Sequence, residues 1–175
     1  MSQVPPAQQD SPSCNGGCAG SRASSELVIC PECRSVGTRV DLITVKALLR
    51  PNALRHLEGK EYRFCPASDC EVVYFDSESG SRFRKADLLI RVGQKESEDP
   101  IPICYCFNFT IFDLGSDLAT HGETNIPETI AEEIRAGHCA CEVKNPEGSC
   151  CLGNVREAVK RIKSDIARAL HAQRA

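Results

Sequence analysis

Two groups of closely spaced thiols, Cys104-Tyr105-Cys106 and Cys139-Ala140-Cys141 with Cys150-Cys151, hold six of the twelve cysteines of this chain. A pair with one residue between its members, a helical-looking gap and a tight second group can offer two thiolates to each iron of a binuclear cluster. Side chains of an extended segment repeat every second residue, so Cys104 and Cys106 are expected to face one side and reach the same iron. Tyr105, Phe107 and Phe109 would then shield it from water. The second iron would draw on Cys141 and on either Cys150 or Cys151, since the side chains of neighbours diverge. Asn145-Pro146-Glu147-Gly148 is turn sequence that folds the chain back between them. A helix expected after the vicinal pair, capped by Asn154, would set free amides against thiolate charge. Cys-x-Cys also occurs in zinc proteins, so a second zinc site with idle thiols competes with the 2Fe-2S cluster.

A separate set lies upstream. Cys30-Pro31-Glu32-Cys33, with Gly37 closing the turn, is a knuckle in which both sulfurs point inward while backbone amides turn toward them. Cys65 and Cys70, four residues apart, form a second strand-associated pair. Four thiolates make a closed tetrahedral site with no position for substrate, the pattern of structural Zn(II). Rubredoxin-like iron and Cu(I) are the alternatives that soft thiolates allow. Cys14 and Cys18 fit no knuckle and are read as a flexible pair of thiols.

These sites need elements to position them. Residues 1–25, rich in Ser, Pro, Gln, Gly and Ala, read as a disordered leader. Strands are expected over Thr38 to Ile43, Tyr62 to Phe64, Glu71 to Phe75 and Ser81 to Lys85, with a turn at Ser77 to Gly80 and a further strand over Asp87 to Val92. Thr44 is placed as the cap of a helix through Val45 and Leu48 that pauses at Pro51. Glu96 to Pro100 is a charged break, dividing a zinc-binding lobe over 26–97 from a 2Fe-2S-binding helical lobe over 98–175. Helices are expected from Thr110 to Thr120 and from Glu128 to Arg135, with Pro127 in the first turn. A longer C-terminal helix carries the apolar stripe Val155, Val159, Ile162, Ile166 and Leu170. The fold class is therefore α+β: a zinc-ribbon-like β lobe followed by a small helical lobe.

Composition narrows the function. Net charge is −3 with the signs interspersed, which removes the electrostatic footprint of a nucleic-acid binder. No apolar stretch approaches the length of a membrane span and no secretory signal opens the chain. A cytoplasmic, reducing location follows as an expectation, and it favours metal thiolates over disulfides. His56, His121, His138 and His171 are scattered, with His138 read as surface. No nucleophile, base and orienting acid form a constellation, so an electron-transfer or metal-binding protein is expected rather than a stand-alone enzyme.

The helical part resembles the 2Fe-2S domain of bacterioferritin-associated ferredoxin. Cys30 to Cys33, Phe64-Cys65 to Phe75, Arg91-Val92-Gly93-Gln94-Lys95-Glu96, Cys104-Tyr105-Cys106 and Asn145 to Cys151 together resemble the N-terminal region of CopZ-type copper chaperones, across roughly residues 27–160. The resemblance implies zinc at Cys30, Cys33, Cys65 and Cys70 and a 2Fe-2S cluster at Cys104, Cys106, Cys141 and Cys150 or Cys151. It also implies one-electron chemistry linked to copper, reducing Cu(II) to Cu(I) for a chaperone, with a copper chaperone or copper-transporting ATPase as partner. Those chaperones continue into a heavy-metal-binding domain with a Met-x-Cys-x-x-Cys loop. Here the only Met is Met1 and that loop is missing, so the redox module is expected rather than the copper carrier. The alternatives are a non-redox zinc-binding scaffold and a ferredoxin serving iron release from a storage protein.

Overall fold

The computed structural model describes residues 27–58, 61–76 and 78–172. The expected leader, with Cys14 and Cys18, lies outside the described residues, as does Ser77 of the expected turn.

Short alternating segments build a four-stranded antiparallel sheet in chain order: β1 (Thr38–Val40), β2 (Tyr62–Phe64), β3 (Val72–Phe75) and β4 (Arg82–Arg84). A register shift between Val72 and Tyr74 breaks the strict alternation of β3. That strand therefore feeds two cores. Val73 and Tyr74 pack with Val45, Leu49, Phe64 and Leu88, while Val72 and Phe75 pack with Cys30, Cys65 and Cys70.

The first helix, α1 (Leu42–Leu48), begins earlier than expected, with Asp41 at its N-cap position. Thr44 is not its cap: it lies within the helix, fully buried, and its hydroxyl has no hydrogen-bond partner. Pro51 stops α1 and opens the single turn α2 (Pro51–Leu54). The strand expected over Asp87 to Val92 does not form. The Asp87 carboxylate instead accepts from the Arg84 amide at 2.8 Å and closes a 3-10 turn over Lys85–Asp87, leaving one bridge between Leu49 and Leu88. A second 3-10 turn, Gly93–Lys95, follows.

A two-stranded ribbon, β5 (Pro102–Cys104) with β6 (Phe109–Thr110), opens the helical part. Thr110 and Asp113 form a capping box on α3 (Ile111–His121), and Gly122, at φ 75°, ends it. Pro127 sits in the first turn of α4 (Ile126–Arg135). A turn of helix, α5 (Cys141–Lys144), precedes the long α6 (Leu152–Ala172). Asn154 does not cap α6: its amide donates to Glu147 at 2.6 Å, and the Cys151 carbonyl accepts the first helical bond from Val155. The apolar stripe packs through Val155, Ala158, Val159 and Ile162 against Leu114, Ile126 and Ile130, but Leu170 is 52% exposed. No helix of the described residues is long and apolar enough to cross a membrane.

Gly37 departs from its expected role. The left-handed residue of the knuckle is Arg34, at φ 66°. Gly37 supplies space: a Cβ there would lie 2.5 Å from the Phe75 ring and 2.7 Å from the Arg63 Cβ. Gly37→Ala is expected to lower stability by about 1–3 kcal/mol through overpacking, read as a shift in urea midpoint.

Candidate metal centres

The two knuckles converge because Cys65 directly follows β2 and the Ile29–Val36 bridge folds Cys30 and Cys33 back on the sheet. All four sulfurs, of Cys30, Cys33, Cys65 and Cys70, lie within 4.8 Å of one another. Cys30 Sγ is 3.9 Å from Cys70 Sγ, and Cys33 Sγ is 3.4 Å from Cys65 Sγ. A tetrahedron of Zn–S bonds of about 2.3 Å has edges of about 3.8 Å, so this donor set fits a zinc ion. The amides of Ser35, Ala67 and Val72 donate to the sulfurs of Cys33, Cys65 and Cys70. Burial pushes Cys33 up, but hydrogen bonds from Ser35 and the neighbouring thiols outweigh it and bring the group down to about 6. Burial raises Cys65 and Cys70, with the nearby Lys95 ammonium pulling Cys65 the other way.

The second group is arranged differently. Cys106 Sγ lies 3.6 Å from Cys141 Sγ, and the Cys104 and Cys151 thiols are hydrogen-bonded to each other. Each close pair thus joins one member of Cys-x-Cys to one member of the returning group, where the sequence suggested that Cys104 and Cys106 would act together. The reason is local. Cys104 ends β5, whereas Cys106 lies in the turn that Asn108, at φ 59°, closes, so the period of an extended strand does not reach it. Among the described residues the tetrahedral quartet is the only group of three or more ligands gathered within 4.8 Å, so these four do not surround one point. The amides of Cys106 and Phe107 donate to Cys104, that of Ala140 to Cys106 at 3.3 Å and that of Cys151 to Cys141. The hydrogen bond from Cys151 brings Cys104 down to about 6, whereas burial raises Cys141 to about 12. Cys151 is 2% exposed at the head of α6, while Cys150 is exposed. Cys139 is half-buried beside the same core. His138 is exposed and pairs with Glu133 at 2.6 Å.

Residues 27–89 match the family model of a CopZ zinc-binding domain. The chain is 37% identical over 148 residues to the copper chaperone CopZ of Archaeoglobus fulgidus, covering 78% of this chain and 69% of that protein. The chain belongs to the CopZ family. The X-ray structure of the A. fulgidus CopZ N-terminal domain superposes with a TM-score of 0.61 at 37% identity, covering 74% of this chain and 96% of that one. In this CopZ-family chain the zinc-binding domain thus contains the four-cysteine cluster, within a small antiparallel sheet joined to helices.

Sequence reasoning missed how the sheet carries the second group. The buried Tyr74 hydroxyl of β3 donates to the Pro146 carbonyl at 2.8 Å. Gln94 donates to the Glu147 carboxylate. Gly148, at φ 65°, lies against Thr44 and Val40, where a Cβ would sit 2.9 Å from the orphaned Thr44 hydroxyl. The turn before Cys150-Cys151 is therefore docked at three successive residues, on β3, on the 3-10 turn Gly93–Lys95 and on α1 with β1. The Tyr105 hydroxyl accepts from the Gly93 amide at 2.8 Å. Tyr74→Phe keeps the ring and loses one buried bond. It is expected to cost about 1–3 kcal/mol in zinc-loaded protein, measured by urea unfolding.

Proposed function

We propose that this CopZ-family protein is a zinc-stabilised one-electron transfer protein of copper handling, with Cys104, Cys106, Cys141 and Cys151 holding a 2Fe-2S cluster in a helical, bacterioferritin-associated-ferredoxin-like lobe. The observation that carries it is the division of four buried thiols into two close pairs, Cys106 with Cys141 at 3.6 Å and Cys104 with Cys151. A binuclear cluster takes two thiolates at each iron, whereas a closed zinc site gathers all four around one ion. When bound, such a cluster supplies or accepts a single electron.

The chain's own residues do the rest. Leu114, Ile130, Val155 and Phe107 exclude water around the thiols, and the amides of Cys106, Phe107, Ala140 and Cys151 stabilise thiolate charge. Two clefts approach the group. One of about 390 Å³ is lined by Tyr105, Glu147, Cys151 and Arg161, and the other, of about 380 Å³, by Leu48, Ile90, Cys104 and Lys144. Cys104 and Cys151, both buried, thus each border one of these clefts, the side from which a redox partner would approach. The copper relative suggests Cu(II) as the electron acceptor, reduced by one electron to the Cu(I) that a copper chaperone or copper-transporting ATPase in the cytoplasm would receive.

Anaerobically purified protein is expected to be brown, with visible absorbance that dithionite bleaches, two irons and two sulfides per chain being the content of a 2Fe-2S cluster. Reoxidation of the reduced protein by Cu(II) should then generate Cu(I) in a bathocuproine assay. Colourless protein with zinc at both sites and no acid-labile sulfide would establish the non-redox scaffold instead.

A further inference from the structure

The 3-10 turn Gly93–Lys95 touches both thiol groups with three consecutive residues. Lys95 is 5% exposed, and its ammonium donates to the Ala67 carbonyl at 2.6 Å and the Cys70 carbonyl at 3.0 Å, lying 5.9 Å from the centre of the Phe64 ring. Those carbonyls belong to the loop between Cys65 and Cys70. Gln94 donates to Glu147, in the turn that delivers Cys151. The Gly93 amide donates to Tyr105, the residue between Cys104 and Cys106. A side chain at Gly93 would collide with the Pro102 carbonyl, 1.9 Å from an added Cβ, so the turn lies directly on β5. From outside, the Lys85 ammonium donates to the Lys95 carbonyl at 3.0 Å and pairs with Glu96 at 3.5 Å.

We propose that Gly93-Gln94-Lys95 is a strap through which metal at the four-cysteine site sets the packing of the second thiol group, with Lys95 the positioning residue on the zinc side and Gln94 on the other. A buried ammonium needs its acceptors, because desolvated charge without hydrogen bonds is costly. The Ala67 and Cys70 carbonyls stay in place only while the Cys65–Cys70 loop is closed on its ion. When the ion leaves, that loop opens, Lys95 loses its acceptors and turns toward water, and the backbone of the strap moves with it. Gly93 and Gln94 then release Tyr105 and Glu147, loosening the segments that carry Cys104, Cys106 and Cys151. The positive charge of Lys95 also offsets the excess negative charge that four thiolates leave around a divalent ion. The inference needs only the second group's packing and not the identity of its metal.

The test uses the full chain, iron-free and zinc-loaded, with zinc release followed by 4-(2-pyridylazo)resorcinol and alkylation by iodoacetamide read at each cysteine by mass spectrometry. Zinc removal from the wild type is expected to speed alkylation of Cys104, Cys106, Cys141 and Cys151 about tenfold, with exposed Cys150 as internal reference. Lys95→Met should release zinc roughly tenfold faster, in line with the effect of outer-shell partners on metal affinity, and Lys95→Arg should restore most of the difference. Gln94→Ala should leave zinc release unchanged while raising alkylation of the second group with zinc still bound. The strap is overturned if zinc release from Lys95→Met matches the wild type, or if zinc-loaded Gln94→Ala protects the second group as well as the wild type does. If far-UV circular dichroism collapses on zinc removal, these two zinc-loaded variants decide alone. A wild type that alkylates equally fast with and without zinc, at unchanged circular dichroism, also overturns it. None of these outcomes depends on whether the second group binds iron.

Discussion

Cys151→Ser should strip the protein of iron and visible absorbance, while Cys150→Ser should leave both nearly intact. The vicinal thiols look equivalent in sequence and are opposite in structure. Cys151 is 2% exposed, hydrogen-bonded to the Cys104 thiol, and its amide donates to Cys141, whereas Cys150 faces solvent. Changing an outer-shell partner alone costs roughly 10- to 100-fold in metal affinity, so removing a ligand should lower iron content by at least about tenfold. A substitution at an exposed position away from such features changes stability by about 0.5 kcal/mol or less, roughly a factor of two in any coupled equilibrium. Iron and sulfide quantification on anaerobically purified variants makes the comparison. Loss of iron from Cys150→Ser with retention in Cys151→Ser would reverse the ligand assignment.

Removing zinc, by chelation or by Cys65→Ser, should destabilise the zinc-binding domain by an amount comparable to its whole stability, and zinc's contribution should shrink as pH falls. Structural zinc sites contribute about 10–16 kcal/mol of apparent binding energy at neutral pH, comparable to the whole stability of a domain at about 5–15 kcal/mol. The direction with pH follows from the protons. In the metal-free fold, burial raises Cys65 and Cys70 above the ordinary thiol value of 9.0. Taken alone, that shift stabilises the metal-free fold below pH 9 and loses its effect as pH rises through the shifted values. Zinc reverses the sign, because it must displace those protons, so zinc-bound stability grows as pH rises toward 9 and falls as pH drops. With at least Cys65 and Cys70 losing protons on binding at pH 7, apparent zinc affinity should fall by about 100-fold or more per pH unit. Below about 6, where Cys33 also takes a proton, the slope should steepen further. Competition with a chromophoric chelator between pH 5.5 and 8 gives the slope directly. A pH-independent affinity would contradict the protonated thiols of the metal-free fold.

The tetrahedral quartet was legible because its information is local. Each knuckle carries its sulfurs at a spacing that one tight turn satisfies, and the strands beside it alternate plainly. The α3 boundary was legible for the same reason, since Thr110 and Asp113 satisfy each other's backbone amides three residues apart. Failures came where distant packing decides. Thr44 looks like a cap by type, yet it is buried in α1 against Gly148, more than a hundred residues further along the chain. Asn154 looks like a cap as well, but Glu147 draws its amide away and α6 starts at Leu152. The choice of Cys151 over Cys150 depends on that helix start. Tyr74, Lys95 and Tyr105 bond to backbone groups of remote segments, and a carbonyl or amide leaves no mark on the identity of its partner.

The hydrogen bond from Tyr74 to Pro146 spans 72 positions and bears on the order of assembly. During synthesis the N-terminal part of a chain folds first, at about 5–20 residues per second. All four thiols of the quartet, Cys30 to Cys70, emerge before Cys104, and the sheet that seats the Asn145–Gly148 turn is complete by Arg84. A nascent chain that closes its ribbon on zinc therefore has those thiols already committed when Cys139 to Cys151 appear. With iron at the second group as proposed, chain order would separate the acquisition of two different metals by two groups of the same ligand.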